Sequence, residues 1–316
     1  MGEFELIRQF FQPLADRAVT DQLILGPGDD CAIQRVPPGR DLVFSVDTLV
    51  EGVHFPEHYH PEYLGWRALA VATSDLAAMG AMPVCYTLAL TLPEADQNWL
   101  AGFARGLARA SEAFGIALAG GDTTRGPLTV TLQVHGTVAT GTGLRRNGAQ
   151  SGDLVCVSGT LGDAGAALDF LAAPEPSAVQ QQVLSRYHFP EPRLFLGQQL
   201  VGRASAAIDI SDGLLADLQH ILQASGVGAR INAQDLPVSA ALRQVRGEQA
   251  LELALTAGDD YQLCITIGQE QWSQLPDPVK QELTVIGRIE PQPGLRLEGA
   301  PRIAAKAGFD HFGSDV

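Results

Sequence analysis

Residues 116–158 read IALAGGDTTRGPLTVTLQVHGTVATGTGLRRNGAQSGDLVCVS. Three apolar runs within it, Ile116–Ala119, Leu128–Val138 and Leu154–Ser158, read as strands, because aliphatic and β-branched residues are bounded there by glycine-rich turns. Between the second and third lies ATGTGLRRNGAQSGD, polar and punctuated by glycine, with no apolar periodicity of its own. A break of that kind between two strong strands predicts a domain boundary, giving domains 1–140 and 141–316. At 316 residues the chain has the length for two ordinary domains.

Outward from this stretch, strands and helices alternate. Further strands are expected at Asp41–Val46, Val84–Leu92, Ala206–Ile210, Tyr261–Ile267 and Leu283–Ile289. A helix is expected from Pro61, a favoured first-turn residue, to Gly80. Trp99, Leu100, Phe103, Leu107, Ala110 and Phe114 recur at helical spacing until Gly115, and a third helix follows Gly213 with Leu214, Leu215, Leu218, Ile221 and Leu222. The expected fold class is α/β (α+β), with mixed sheets packed against helices. The segment AAPEPSAVQQQ reads as a surface loop without chemistry.

The composition, 46% hydrophobic and 18% charged, is that of a globular protein. With 36 acidic and 21 basic residues the formal charge is -15, which argues against a nucleic-acid binder. Cys31, Cys85, Cys156 and Cys264 form no CxxC pair and read as reduced thiols. The N-terminus MGEFELIRQF carries no signal-peptide pattern, and no apolar run reaches the roughly 20 residues that span a bilayer. A cytoplasmic enzyme without a membrane partner is expected.

Aspartates gather where strands end or glycine-rich turns begin: Asp29 and Asp30 in GPGDDCA, Asp47 in VFSVDT, Asp122 in ALAGGDTT, Asp209 and Asp212 in AIDISDG. Strand-end loops are where α/β proteins place ligands, and hard carboxylate oxygens suit Mg²⁺. Each aspartate taken alone also fits a simple turn. Asp75 differs, because it falls on the apolar stripe of its helix, between Val71 and Met79. A carboxylate on an inward face needs a metal or a partner, Arg67 being one candidate.

The chain holds only Lys280 and Lys306, and neither follows a GxxxxG loop, so Walker-A and protein-kinase chemistry are excluded. Cations for a polyphosphate would then come from metal and arginine, with Arg146 the leading arginine. The cluster HFPEHYH invites a zinc reading, but Pro56 opposes the helix a zinc site of the HExxH type needs, and the order of ligands is wrong. A single substrate contact from this loop fits better.

Taken in order, GPGDD, SVDTLVEGVHF, ATSDLAAMGAMP, AGGDTT, RRNGA, VSGTLGDA, IDISDGL, AGDDYQL and GFDHF resemble the thiamine-monophosphate kinase family, within the wider aminoimidazole-ribonucleotide synthetase-like superfamily of ATP enzymes. The resemblance runs from about Gly26 to the C-terminal GFDHF. It implies a two-domain fold, usually dimeric, with an N-terminal half that binds nucleotide and Mg²⁺ and a C-terminal half that completes the metal and substrate site. It implies transfer of the γ-phosphoryl group of ATP to thiamine monophosphate, giving thiamine diphosphate. Carried over by position, metal ligands would be Asp30, Ser45, Val46 through its backbone, Asp47, Asp75, Asp122, Asp209 and Asp212. ATP would meet Gly121, Asp122, Arg146 and Ser211; thiamine phosphate would meet His54, Asp259 and Phe309. The family commonly has a hydroxyl residue at the position of Val46 and glutamate at that of Asp259.

The chemistry is consistent with this. A phosphate monoester is largely anionic at neutral pH, its second pKa lying near 6, so no general base is expected. The obstacle is repulsion between two polyanions, which several Mg²⁺ ions on aspartates would relieve during in-line transfer. Rival readings are another ATP enzyme of the superfamily, a metal-dependent phosphohydrolase that needs no ATP, and a non-catalytic nucleotide-binding protein.

Overall fold

A computed structural model of the chain describes residues 3–17 and 20–299. Two compact units divide it: Met1–Leu76 with Ala81–Gly143, and Ala77–Gly80 with Leu144–Val316.

The first unit begins with a short helix, α1 (Glu3–Leu6), and a small antiparallel pair, β1 (Leu23–Leu25) and β2 (Ile33–Gln34). Its main sheet has β3 (Arg40–Val50), β4 (Met82–Leu92), β5 (Ala117–Arg125) and β6 (Thr129–Ala139) in the order β3-β6-β4-β5. All neighbours are antiparallel except β4 and β5, which the helix after β4 joins as a parallel crossover. Burial alternates along β6: Val130, Leu132 and Val134 are buried, while Thr131, Gln133 and His135 are not. One face of the sheet is therefore core, as the period of two requires. On the other face of β3, Phe44 and Val46 are 62% and 60% exposed.

Two helices complete this unit, α2 (Pro61–Ala78) and α3 (Gln97–Phe114). Asp96 caps α3 by accepting the N–H groups of Asn98 at 2.7 Å and Trp99 at 3.0 Å, and Gly115 ends it at φ 64°. The two helices cross with backbones touching. A Cβ on Gly106 would lie 2.1 Å from the Glu62 carbonyl oxygen, and one on Gly65 would lie 2.3 Å from that of Phe103.

The second unit is built on a six-stranded sheet: β7 (Leu154–Ser158), β8 (Ala204–Asp209), β9 (Gly228–Asn232), β10 (Leu263–Ile267), β11 (Leu283–Glu290) and β12 (Gly294–Glu298), ordered β12-β9-β11-β7-β10-β8. Only the β12–β9 pairing is parallel. Every residue of β7 and β10 is buried, because both faces are covered. Among the helices that follow β7 are α4 (Asp163–Ala167), α5 (Ala178–His188), α6 (Leu194–Leu200), α7 (Leu214–Ser225), α8 (Ala240–Arg246) and α9 (Ala250–Thr256). On one face Val155, Val157 and Ile208 pack with Leu214, Leu218, Ile221 and Leu222 of α7; on the other Cys156, Leu263 and Ile265 pack with Leu196 and Leu200 of α6.

Two expectations are corrected. The loop expected at AAPEPSAVQQQ is only half loop: Ser177 opens α5 with a capping box to Gln180, and the apolar residues that hold this helix, Val183, Leu184 and Tyr187, lie beyond the polar run. The strand expected to end at Ala119 continues through GGDTTR to Arg125. Gly121 makes that possible, since a Cβ there would lie 2.0 Å from the Leu88 carbonyl oxygen. Among the described residues no helix is long and apolar enough to cross a membrane.

Candidate active site

In the first unit, β3 aims alternate residues toward the core face, so Ser45 and Asp47 share that face while Val46 points away. The hydroxyl of Ser45 donates a short hydrogen bond to the Asp75 carboxylate of α2. Burial, and then the charge of Asp75, push the Asp47 carboxyl up to about 6. Two carboxylates and a hydroxyl thus meet at the helix–sheet seam, with enough mutual repulsion to favour a proton or a cation. Val46 has no side-chain donor or acceptor, so only its carbonyl is available.

Asp30 sits in the exposed turn after Gly28, where its N–H binds the Asp29 carboxylate at 2.9 Å. Asp122 is exposed on β5 and pairs with Ala89, whereas Asp47 pairs with Leu132 and, through Leu88, shares its row with Gly121. Side-chain alternation therefore turns Asp122 to the other face of the sheet from Asp47. β5 is also the opposite edge from β3, three strand spacings or about 14 Å away. His54 is tied to its own turn: its Nδ1 accepts the N–H of Val50 at 3.0 Å, which leaves the proton of a neutral ring on Nε2.

In the second unit, Asp209 ends β8 and is buried, and Ser211 and Asp212 lie in the turn into α7. Asp217, one turn into α7 and 2% exposed, accepts the backbone N–H groups of Ser211, Asp212 and Gly213. Those three donors are therefore spent. The turn thus offers no amide donor from these residues to a bare phosphate. Burial raises the Asp217 carboxyl to about 6 against these hydrogen bonds.

Asp259 is brought to the same turn. Its N–H donates to the Ser211 carbonyl at 2.8 Å, and the Tyr261 N–H donates to that of Ile210 at 2.8 Å. Asp259 and Tyr261 both hold positive φ, 67° and 49°, and the Tyr261 hydroxyl donates to Asp259 Oδ1 at 2.9 Å. Backbone in that region costs about 1 kcal/mol or more per residue, and here the lacing to 210–211 holds it. The Arg146 carbonyl accepts from Ser225 at the C-terminal end of α7, and that of the neighbouring Arg145 accepts the Ala207 N–H of β8.

Phe309 lies outside the described residues. Among those described, no three His, Cys, Asp or Glu side chains are placed to hold a metal ion. The acidic residues stand in pairs, Asp47 with Asp75 and Asp212 beside Asp217. Sequence reading passed over Asp217, although an acid six residues after Ser211 in a helical first turn is a recognisable support for a turn's N–H groups.

Comparison with known proteins brings two domain models and a set of full-length relatives. Residues 28–138 match the model described as AIR synthase related protein, N-terminal domain, and residues 150–300 match its C-terminal counterpart. A thiamine-monophosphate kinase of Salmonella typhimurium (strain LT2) is 43% identical over 98% of each chain. Among solved structures, a thiamine-monophosphate kinase from Stenotrophomonas maltophilia K279a superposes with a TM-score of 0.86 at 43% identity, over 95% of this chain and 98% of that one. AaThiL, complexed with AMPPCP and TMP, superposes at 0.81 with 32% identity, over 98% and 97%.

Proposed function

The chain belongs to the thiamine-monophosphate kinase family, and from that premise we propose that it transfers the γ-phosphoryl group of ATP directly to the phosphate of thiamine monophosphate, giving thiamine diphosphate. The observation that carries this reading is the 43% identity maintained over 98% of both chains. The solved complex of AaThiL with AMPPCP and TMP supports ATP as the donor and the monophosphate as the acceptor.

The donor set fits Mg²⁺. Ser45, Asp47 and Asp75 offer hard oxygen ligands, and the Asp47 carboxyl is raised first by burial and then by the charge of Asp75 beside it. The first unit would hold metal at the β3–α2 seam through Ser45, the Val46 carbonyl, Asp47 and Asp75, with Asp30 from its exposed turn; Asp122, on the other face of the sheet, would serve a separate ion. The second would use Asp209 and Asp212. When bound, Mg²⁺ supplies charge neutralisation between two phosphate groups.

The remaining roles belong to this chain's own residues. Asp217 fixes the Ser211–Gly213 turn by taking its three N–H groups. Gly121 lets β5 lie close against β4 beside Asp122. Gly121, Asp122, Arg146 and Ser211 would contact ATP. His54, Asp259 and Phe309 would contact thiamine phosphate, with the shorter Asp259 steadied by Tyr261. A monoester oxygen that is already anionic is its own nucleophile, so no side chain need remove a proton.

The exposed apolar row of β3, Leu42, Phe44 and Val46, lies on an edge strand. Such a row is suited to burial against a second copy, and it supports a homodimer. One assay tests the activity: purified protein with MgATP and thiamine monophosphate, read as thiamine diphosphate and ADP. Phosphate release without ATP would favour a phosphohydrolase instead.

A further inference from the structure

Outside the residues assigned above, the second unit carries a cleft of about 450 Å³. Its walls are the turn after β7, the C-terminal half of α5, the residue ahead of α6 and the start of α8. Two guanidinium groups face it, Arg186 from the last turn of α5 and Arg193 from the N-cap of α6.

Arg193 is half-buried and held in place. Its Nε donates to Gln262 Oε1 at 2.7 Å, and that wholly buried amide oxygen also accepts from Ser158 Oγ at 2.8 Å. Gly159, at φ +56°, leaves room for the guanidinium: a Cβ there would lie 2.9 Å from Arg193 Nη2. Arg186 is half-buried and makes no hydrogen bond or ion pair with any described residue. Burial and the like charge of Arg186 lower the pKa of Arg193, with Glu191 and Glu282 acting in the opposite direction.

Besides Glu191 and Glu282, two buried carboxylates lie near this pair, Asp163 in the cleft lining and Asp260 within range of the charge of Arg186, and none of the four makes an ion pair with either arginine. Asp163, 3% exposed, accepts from the hydroxyls of Thr160 and Ser239. Asp260 accepts the Gly162 N–H at 2.7 Å, and burial raises its pKa well above the usual carboxylate range. Like charges fixed in one cleft repel unless an anion stands between them.

We propose that this cleft binds a tetrahedral phosphate oxyanion, as free phosphate or as the end of a phosphate monoester, between Arg186 and Arg193. A carboxylate is satisfied by one bidentate arginine, whereas a phosphate has oxygens for two guanidinium groups approaching from different elements. Its charge of about −1.5 to −2 also matches the two cations.

The test is calorimetric titration of the whole chain with inorganic phosphate in EDTA, at ionic strength held constant with chloride. Chelation removes phosphate binding through divalent metal, so that failure of the kinase assignment and failure of this one are read separately. Wild type should bind saturably, and Arg186→Gln should weaken binding at least about tenfold, with an unchanged melting temperature in chloride. If Arg186→Gln melts early, Arg186→Lys replaces it: the point charge remains, the fork is lost, and binding should weaken several-fold. A parallel titration with thiamine monophosphate separates the sources. Loss in both arms on substitution assigns a monoester end, and loss with phosphate alone assigns the free ion. Undetectable phosphate binding by wild type, or equal binding by wild type and a folded Arg186 variant, would overturn the proposal.

Discussion

Asp217 accepts the backbone N–H of Asp212 at 3.0 Å through one carboxylate oxygen, Oδ2, which also takes the N–H of Ser211 at 3.0 Å and that of Gly213 at 3.1 Å. A helix side chain thereby sets the shape of the turn that precedes its own helix. Asp259 is in turn hung from the Ser211 carbonyl.

Removing that acceptor should free three backbone donors at once, one buried and two half-buried. Asp217→Ala is expected to cost about 3 kcal/mol, read from urea denaturation, and to abolish the rise in melting temperature that MgATP gives. Asp217→Asn keeps one acceptor oxygen and should lose less on both measures. An alanine variant with wild-type stability and a wild-type shift would remove Asp217 from its supporting role.

Asp75 faces Ser45 and Asp47 at the seam of α2 and β3. Asp75→Asn is expected to lower kcat by about 100-fold, near 2.7 kcal/mol, at saturating Mg²⁺. Steady-state assays across a magnesium series check this, and near-normal turnover at high Mg²⁺ would contradict the ligand role.

Asp260 gives a pH-dependent contribution to stability. Its folded pKa lies well above the ordinary value because of burial, so the folded state holds the proton more tightly than the unfolded chain. The resulting stabilisation is present below about pH 4 and is lost as the pH rises through the raised pKa. Asn can still accept from Gly162 but carries no charge. Asp260→Asn should therefore gain on wild type as the pH goes from 4 to 8, measured as the difference in urea midpoints. A gap that stays constant across this range would refute the assignment.

The α2–α3 crossing has no space for a methyl group at Gly106, 2.1 Å from the Glu62 carbonyl. Gly106→Ala must push the helices apart and is expected to destabilise by about 2 kcal/mol or more, despite the better helix propensity of alanine. Thermal melts decide the sign, and a stabilised variant would mean that the crossing can relax.

Phe44 lies on the exposed apolar row of β3. If that row is covered by a second copy, Phe44→Asp should shift the protein from dimer to monomer in sedimentation velocity. A monomeric wild type, or a dimeric variant, would place the interface elsewhere or remove it.

Much of this architecture was legible in the chain itself. Continuous apolar runs marked β7 and β10, because strands covered on both faces need no polar alternation. Asp75 stood out as an acid on an apolar stripe, and it does meet a partner there, the Ser45 hydroxyl. The helix α5 was hidden because its start, AVQQQ, is dominated by three glutamines and follows two prolines, while the buried apolar residues that hold it come later.

Local pattern could name strands, helix starts and acidic turn residues, because backbone sterics, side-chain period and burial act within a few residues. It could not say which of those acids share a neighbourhood. Sheet register alone turned Asp122 away from Asp47, and only packing aimed Arg186 and Arg193 into one cleft. Charges interact through space, not along the chain, so their electrostatics exist only once the tertiary structure has fixed the distances.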